Sequence, residues 1–146
     1  MTDGVYVGVK YNGRSMGNLH RFAREIQVPN PVPKGMLHST VLYCTERTEA
    51  PHIREVVNFT ALPWYLEVWP TESGNVLVLV LDSPGIQRRH EEWLSRGYPH
   101  AYDNFVPHVT LSYDVGDWRP DGKPINIPAL EANLVYVEPL KLDWGK

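Results

Sequence analysis

Two seven-residue stretches decide how this chain is read: Leu37-His38-Ser39-Thr40-Val41-Leu42-Tyr43 and Pro107-His108-Val109-Thr110-Leu111-Ser112-Tyr113. Each is histidine, any residue, threonine, then mostly apolar residues, with tyrosine five places after the histidine. They stand about half of the 146-residue chain apart, so the sequence reads as an internal duplication. Both have strand character, and on a regular strand residues two apart share a face. His38 and Thr40 are expected to point together, as are His108 and Thr110. Regular alternation puts Leu37, Ser39, Val41 and Tyr43 on the opposite face, with Val109, Leu111 and Tyr113.

The flanking pattern extends the repeat. Val5 to Val9 reads as a first strand, and residues 14–27 place Met16, Leu19, Phe22, Ala23 and Ile26 on one helical face. Pro29, Pro31 and Pro33 end that helix in an extended connection. Residues 64–69 and 75–82 read as strands joined by a turn, and the run Val76 to Leu81 is apolar enough to be buried on both faces. Ser83-Pro84 opens a second helix, Ser83 as cap, with Ile86, Trp93 and Leu94 on its apolar face and Gly97 at its end. The strand Val106–Tyr113 follows, then two late strands near 125–130 and 133–141. The expected fold is α+β: one domain over 1–146, in two pseudo-symmetric halves of about 1–82 and 83–146.

Bulk composition bounds the function. Apolar residues at 42% and charged residues at 21% fit a packed core, and no apolar run reaches the ~20 residues of a membrane helix. No signal peptide is visible, and the single cysteine, Cys44, reads as an inert strand residue that fits a reducing compartment. The net charge of −3 argues against a long nucleic-acid partner. Residues 1–40 nevertheless hold five basic residues against two acidic ones, a local zone able to face a small anion, although a solvated helix face accounts for most of them.

If the two motif faces line one cleft, two imidazoles and two hydroxyls converge there. Imidazole titrates near 6.5, so one ring can act as base and the other as acid near neutral pH. Cleavage of a phosphodiester needs one proton taken from the attacking oxygen and one given to the leaving oxygen. Threonine hydroxyls can donate to the non-bridging oxygens as charge builds there. Convergent histidines also serve zinc, but the sequence has no HExxH, no cysteine pair and no third ligand in register, so no metal and no cofactor are expected. His20 and His90 are expected to be solvated on helices, and His52 and His100 to have no role. Trp64, Trp93 and Trp118 are expected to pack.

The paired His-Ser-Thr and His-Val-Thr, in duplicated halves, resemble the two-histidine (2H) phosphoesterase superfamily. The resemblance implies a bilobal fold, antiparallel strands with flanking helices around a central cleft, and metal-independent cleavage of nucleotide phosphodiesters. Within that superfamily, Glu138 followed six residues later by Trp144, with Tyr11 after the first strand and Trp69 at the end of the third, is similar to the phage anti-CBASS nucleases. This second resemblance implies cyclic di- and trinucleotides as substrates, cleaved at 3′–5′ bonds. It also implies that Tyr11, Trp69 and Trp144 stack on bases while Glu138 accepts hydrogen bonds from a base edge. Action in the cytoplasm of an infected bacterium follows from the same resemblance, with no membrane and no obligate protein partner. An RNA 2′,3′-cyclic phosphodiesterase and a non-catalytic cyclic-nucleotide sponge remain as alternatives.

Overall fold

The computed structural model describes residues 4–46, 53–102 and 104–140. Its elements run β1 (Val5–Tyr11), α1 (Gly13–Glu25), β2 (Ser39–Cys44), β3 (Ile53–Thr71), β4 (Gly74–Asp82), α2 (Pro84–Ser95), β5 (His108–Ser112) and β6 (Leu130–Pro139), with a short 3₁₀ turn at Lys34–Met36. The order is therefore βαββ, twice. The repeat turns over in the hairpin between Thr71 and Gly74, so β4 opens the second unit instead of ending the first near residue 82.

All pairings are antiparallel, in the order β2-β1-β6-β3-β4-β5. Each unit lends its last strand to the other: β6 pairs with β1, and the second part of β3 pairs with β4. This exchange makes one body of the two halves, and one apolar core runs through both. One face of the sheet supplies Val5, Val7, Val9, Leu77, Leu79 and Leu81 to that core, against Leu19 and Phe22 of α1 and Ile86 and Trp93 of α2. Burying each such side chain stabilises by about 1.5–3 kcal/mol. The other face of the sheet forms the cleft.

Helix starts follow local chemistry. Asn12 caps α1 by accepting from Ser15 N–H at 2.9 Å, and Ser83 caps α2 by accepting from Ile86 N–H at 3.2 Å, with Pro84 in the first turn. The stretch Val76–Leu81 is an inner strand: Leu77 to Leu81 are all buried, Val78 and Val80 lying under the second motif.

Three sequence expectations change. The strand expected at 64–69 is the second half of a 19-residue strand that begins at Ile53. Its first half is exposed on much of its surface and its pattern is interrupted, with Phe59 to Ala61 resuming the pairing with β6 after an irregularity past Val56. Residues 125–129 form no strand; Ile125 and Ile127 pack on the core from irregular chain. His90 is not solvated: it is buried on α2, with Nδ1 2.7 Å from the Val41 carbonyl and its ring stacked on Phe105 at 3.7 Å.

The connections after the two helices hold the outer strands together. Val32 N–H in the proline linker donates to Leu111 O of β5 at 2.8 Å, and Ser112 Oγ donates to Pro29 O at 2.7 Å. In the loop after α2, Ala101 N–H donates to Tyr43 O of β2 at 2.8 Å. Each linker thus braces the motif strand of the opposite unit, which brings the edge strands β2 and β5 together at one cleft.

Candidate active site

β2 and β5 carry the two motifs, and their local geometry is the same. His38 Nδ1 lies 2.8 Å from Met36 O, and His108 Nδ1 lies 2.8 Å from Val106 O. A carbonyl only accepts, so each Nδ1 carries the proton and each Nε2 is left with a lone pair when the ring is neutral. One backbone contact therefore sets tautomer and ring orientation twice, two residues upstream of each histidine.

Both imidazoles have pKa values below 6.5. Burial is the main cause for His38, with Lys10 lowering it further while the Met36 carbonyl and Glu138 oppose. Burial also dominates for His108, and His38 lowers it further while the Val106 carbonyl opposes. The two rings thus feel each other electrostatically, and both are mainly neutral at pH 7 in the free protein. A bound phosphodiester brings the negative charge that favours protonating one of them.

The motif strands are not regular. Gly8 pairs with Thr40 but Val7 pairs with Leu42, so Val41 is an extra residue in β2; Val78 pairs with Thr110 but Leu77 pairs with Ser112, so Leu111 is the extra residue in β5. The two bulges fall three residues after each histidine. They reverse the expected orientation of the duplicated tyrosines. Tyr43 shares the cleft with Thr40, and Tyr113 is 58% exposed and electrostatically coupled to Tyr6 and Tyr136.

Around this shared centre the two half-sites differ. Register places Glu138 beside Tyr6 on the first side and Trp69 beside Val76 at the equivalent place on the second. The His38 side is hydroxyl-rich. Tyr6 Oη lies 2.9 Å from Thr40 Oγ1, the Tyr6 and Tyr136 rings lie 6.0 Å apart, and the Tyr6 ring meets His38 edge-on at 6.2 Å. Burial first, and the neighbouring Tyr136 second, hold the Tyr6 phenol neutral with a raised pKa. Either hydroxyl of this pair can be the donor, so Tyr6 fixes where the Thr40 hydroxyl points. Gly8 makes room for this: a Cβ there would lie 2.4 Å from Tyr136 Cζ and Oη. On the other side Trp69 packs edge-on against His108 at 4.6 Å, and its indole N–H donates to Glu67.

A cavity of about 550 Å³ opens next to these groups, with Thr40, Trp69 and His108 among its lining residues. Among the described residues no three His, Cys, Asp or Glu side chains gather in a metal-holding arrangement. None of their helices is long and apolar enough to cross a membrane.

The residues expected at the site divide accordingly. His38, Thr40, His108, Thr110, Trp69 and Glu138 lie on the cleft side of the sheet. Tyr11 does not. It is 1% exposed, in the core, with its phenol 2.6 Å from Ser39 Oγ, and burial raises its pKa to above the tyrosine range. It stands five positions after Tyr6, an odd offset, so the two lie on opposite faces of β1, and Tyr6 is the tyrosine that faces the cleft. Trp144 lies outside the described residues. Trp93 packs as expected and Trp118 lies against the core, whereas Trp64 is 65% exposed beside Tyr65. The sequence reading also missed Tyr6, Tyr136 and His100; strand alternation from Val5 was the available signal for Tyr6.

The architecture and the sequence both have known counterparts. Escherichia coli LigT complexed with ATP superposes with a TM-score of 0.56 at 12% identity, over 99% of this chain and 91% of that one. LigT complexed with NADP+ gives 0.57 at 14% identity over the same shares. At these identities the likeness establishes a shared 2H-phosphoesterase fold. The anti-CBASS protein Acb1 of Enterobacteria phage T4 is 40% identical over 143 residues, 97% of this chain and 91% of that protein. The Acb1 of Yersinia phage phiR1-RT is 39% identical over 146 residues, 98% and 92% of the two chains. The family model described as anti-CBASS protein Acb1 matches residues 3–146. With near-complete coverage in each comparison, this chain belongs to the anti-CBASS protein Acb1 family.

Proposed function

We propose that the protein is a metal-independent phosphodiesterase that opens cyclic di- and trinucleotides at a 3′–5′ bond, in the cytoplasm of an infected bacterium. The observation that carries this reading is the duplicated anchoring of His38 and His108, each with Nδ1–H on a carbonyl at 2.8 Å and Nε2 left for chemistry. Membership of a family named for opposing CBASS defence supports the substrate class.

The reaction uses the two Nε2 atoms in opposite senses. One neutral imidazole takes the proton of the attacking oxygen, a ribose 2′-hydroxyl or a water, as that oxygen bonds to phosphorus. The P–O5′ bond breaks, and the other imidazole, protonated under the field of the bound phosphate, gives its proton to O5′. Attack by the 2′-hydroxyl leaves a linear product with a 2′,3′-cyclic phosphate; attack by water leaves a 3′-phosphate. Thr40 and Thr110 donate to the non-bridging oxygens, where the charge is greatest in the transition state. Both base and acid come from side chains, so no step calls for a metal.

Incubation with a panel of cyclic di- and trinucleotides in excess EDTA, with products identified by mass spectrometry, tests the reading. Linear products ending in a cyclic or 3′-phosphate are expected. Intact nucleotide retained on the protein contradicts catalysis, and cleavage confined to linear RNA ends contradicts the substrate class.

A further inference from the structure

The cavity is lined by Thr40 and His108, which suit a phosphate, and by the rings of Tyr43, Tyr102 and His100, which suit something else. Among the described residues no aspartate, glutamate, lysine or arginine lines the cavity. His100 adds no charge at neutral pH, because burial, with His90 and His108 nearby, lowers its pKa to about 4. These rings carry no formal charge to pair with a phosphate, but they offer ring faces to a nucleobase. The cavity volume lies within the ~300–1,000 Å³ range of small-molecule sites.

The chamber is built to hold its rings in place. Tyr43 N–H donates to His100 Nδ1 at 3.1 Å, and Ala101 N–H donates to Tyr43 O at 2.8 Å. Both free backbone groups of Tyr43 on the outer edge of β2 are thereby tied to the loop that carries Tyr102. Behind them His90 and Phe105 stack at 3.7 Å, and His100 meets each edge-on, at 4.9 and 5.5 Å. The Tyr43 and Tyr102 rings are 5.6 Å apart and tilted by 43°. Tyr102 is 65% exposed, a large ring left in solvent although Ala101 before it is tied to β2.

We propose that Tyr43 and Tyr102 form a stacking subsite for a nucleobase next to the scissile phosphate, held in position by His100. The inference rests on the phosphodiesterase reading above and names a binding surface that the His-x-Thr motifs do not include. Stacking accepts any base face, so the subsite contributes affinity with little selection among bases.

The test compares wild type, Tyr102→Ala and Tyr102→Phe on a cyclic dinucleotide. KM and kcat are measured, together with the Kd of the uncleaved ligand in a His108→Ala background. Tyr102→Ala is expected to raise KM and Kd by about 5- to 150-fold, the range that base–aromatic stacking provides, while kcat changes less than about 3-fold. Tyr102→Phe keeps the ring and is expected to recover most of the loss, which a role for the phenol alone would not allow. An active Tyr102→Ala protein with unchanged KM and Kd overturns the subsite and leaves the phosphodiesterase reading intact. A fall in kcat with KM unmoved also overturns it. If wild type neither cleaves nor binds any cyclic nucleotide, the reading beneath the subsite fails and the subsite with it.

Discussion

Removing one hydroxyl from the cleft floor, in Tyr6→Phe, isolates the contact that orients Thr40. The ring stays in place, 8% exposed, so packing is kept while the 2.9 Å bond to Thr40 Oγ1 is lost. A neutral hydrogen bond of this kind contributes about 0.5–1.5 kcal/mol. If Tyr6 acts by holding the Thr40 proton toward the phosphate, that amount appears in the transition state, and kcat falls roughly 2- to 13-fold. The assay is a double-mutant cycle on initial rates with Thr40→Val, which keeps the side-chain shape and removes the hydroxyl. In the Thr40→Val background, Tyr6→Phe is expected to cost less than about 2-fold, because the group it positions is gone. Equal losses in both backgrounds would refute the positioning argument and leave Tyr6 as a packing residue or a ligand contact.

Three further outcomes follow from the geometry. Gly8→Ala places a Cβ 2.4 Å from the Tyr136 phenol, so the ring must move; thermal melts are expected to show about 1–3 kcal/mol of destabilisation, relieved by adding Tyr136→Ala. Tyr11→Phe leaves the buried Ser39 hydroxyl without its partner and is expected to cost about 1–3 kcal/mol in a denaturant titration with kcat/KM unchanged. Because His38 and His108 both have pKa values below 6.5, the bell-shaped kcat/KM profile of the free enzyme is expected to peak on the acid side of 6.5. The macroscopic values belong to the pair, and the bound phosphate moves the kcat profile to higher pH; a kcat/KM optimum above pH ~7.5 would contradict this.

The parts of the fold written in local chemistry were legible in the sequence. The duplicated motifs, the amphipathic face of α1, the Ser83-Pro84 helix start and the doubly buried strand at 75–82 each depend on residues close together in the chain. What escaped depends on partners far away. Nothing in Val41 or Leu111 marks a bulge, since the bulges are defined by how β1 and β4 pair with them, and those bulges decide where Tyr43 and Tyr113 point. The length of β3 depends on pairing first with β6 and then with β4, which local propensity does not contain. His90 looked like a solvated helix residue because the Val41 carbonyl and Phe105 that enclose it come from other elements.

The proposed catalytic pairs stand out in the sequence through duplication, and their surroundings do not. His38 with Thr40 and His108 with Thr110 are named by the repeat itself. The substitution of Tyr6 for Tyr11 at the cleft is a matter of strand parity, which a resemblance in residue type and approximate position does not test. Glu138 and Trp69 occupy equivalent positions in the two units, so the same frame presents a carboxylate to one histidine and an indole to the other.

The most direct test of the central claim is turnover of a cyclic dinucleotide in excess EDTA by wild type, His38→Ala and His108→Ala, with ligand binding measured on the same samples. Wild type is expected to cleave, and each variant to lose about 10²–10⁴-fold in rate while still binding. Full turnover by either variant, or abolition of wild-type cleavage by EDTA, would contradict a metal-independent two-histidine mechanism.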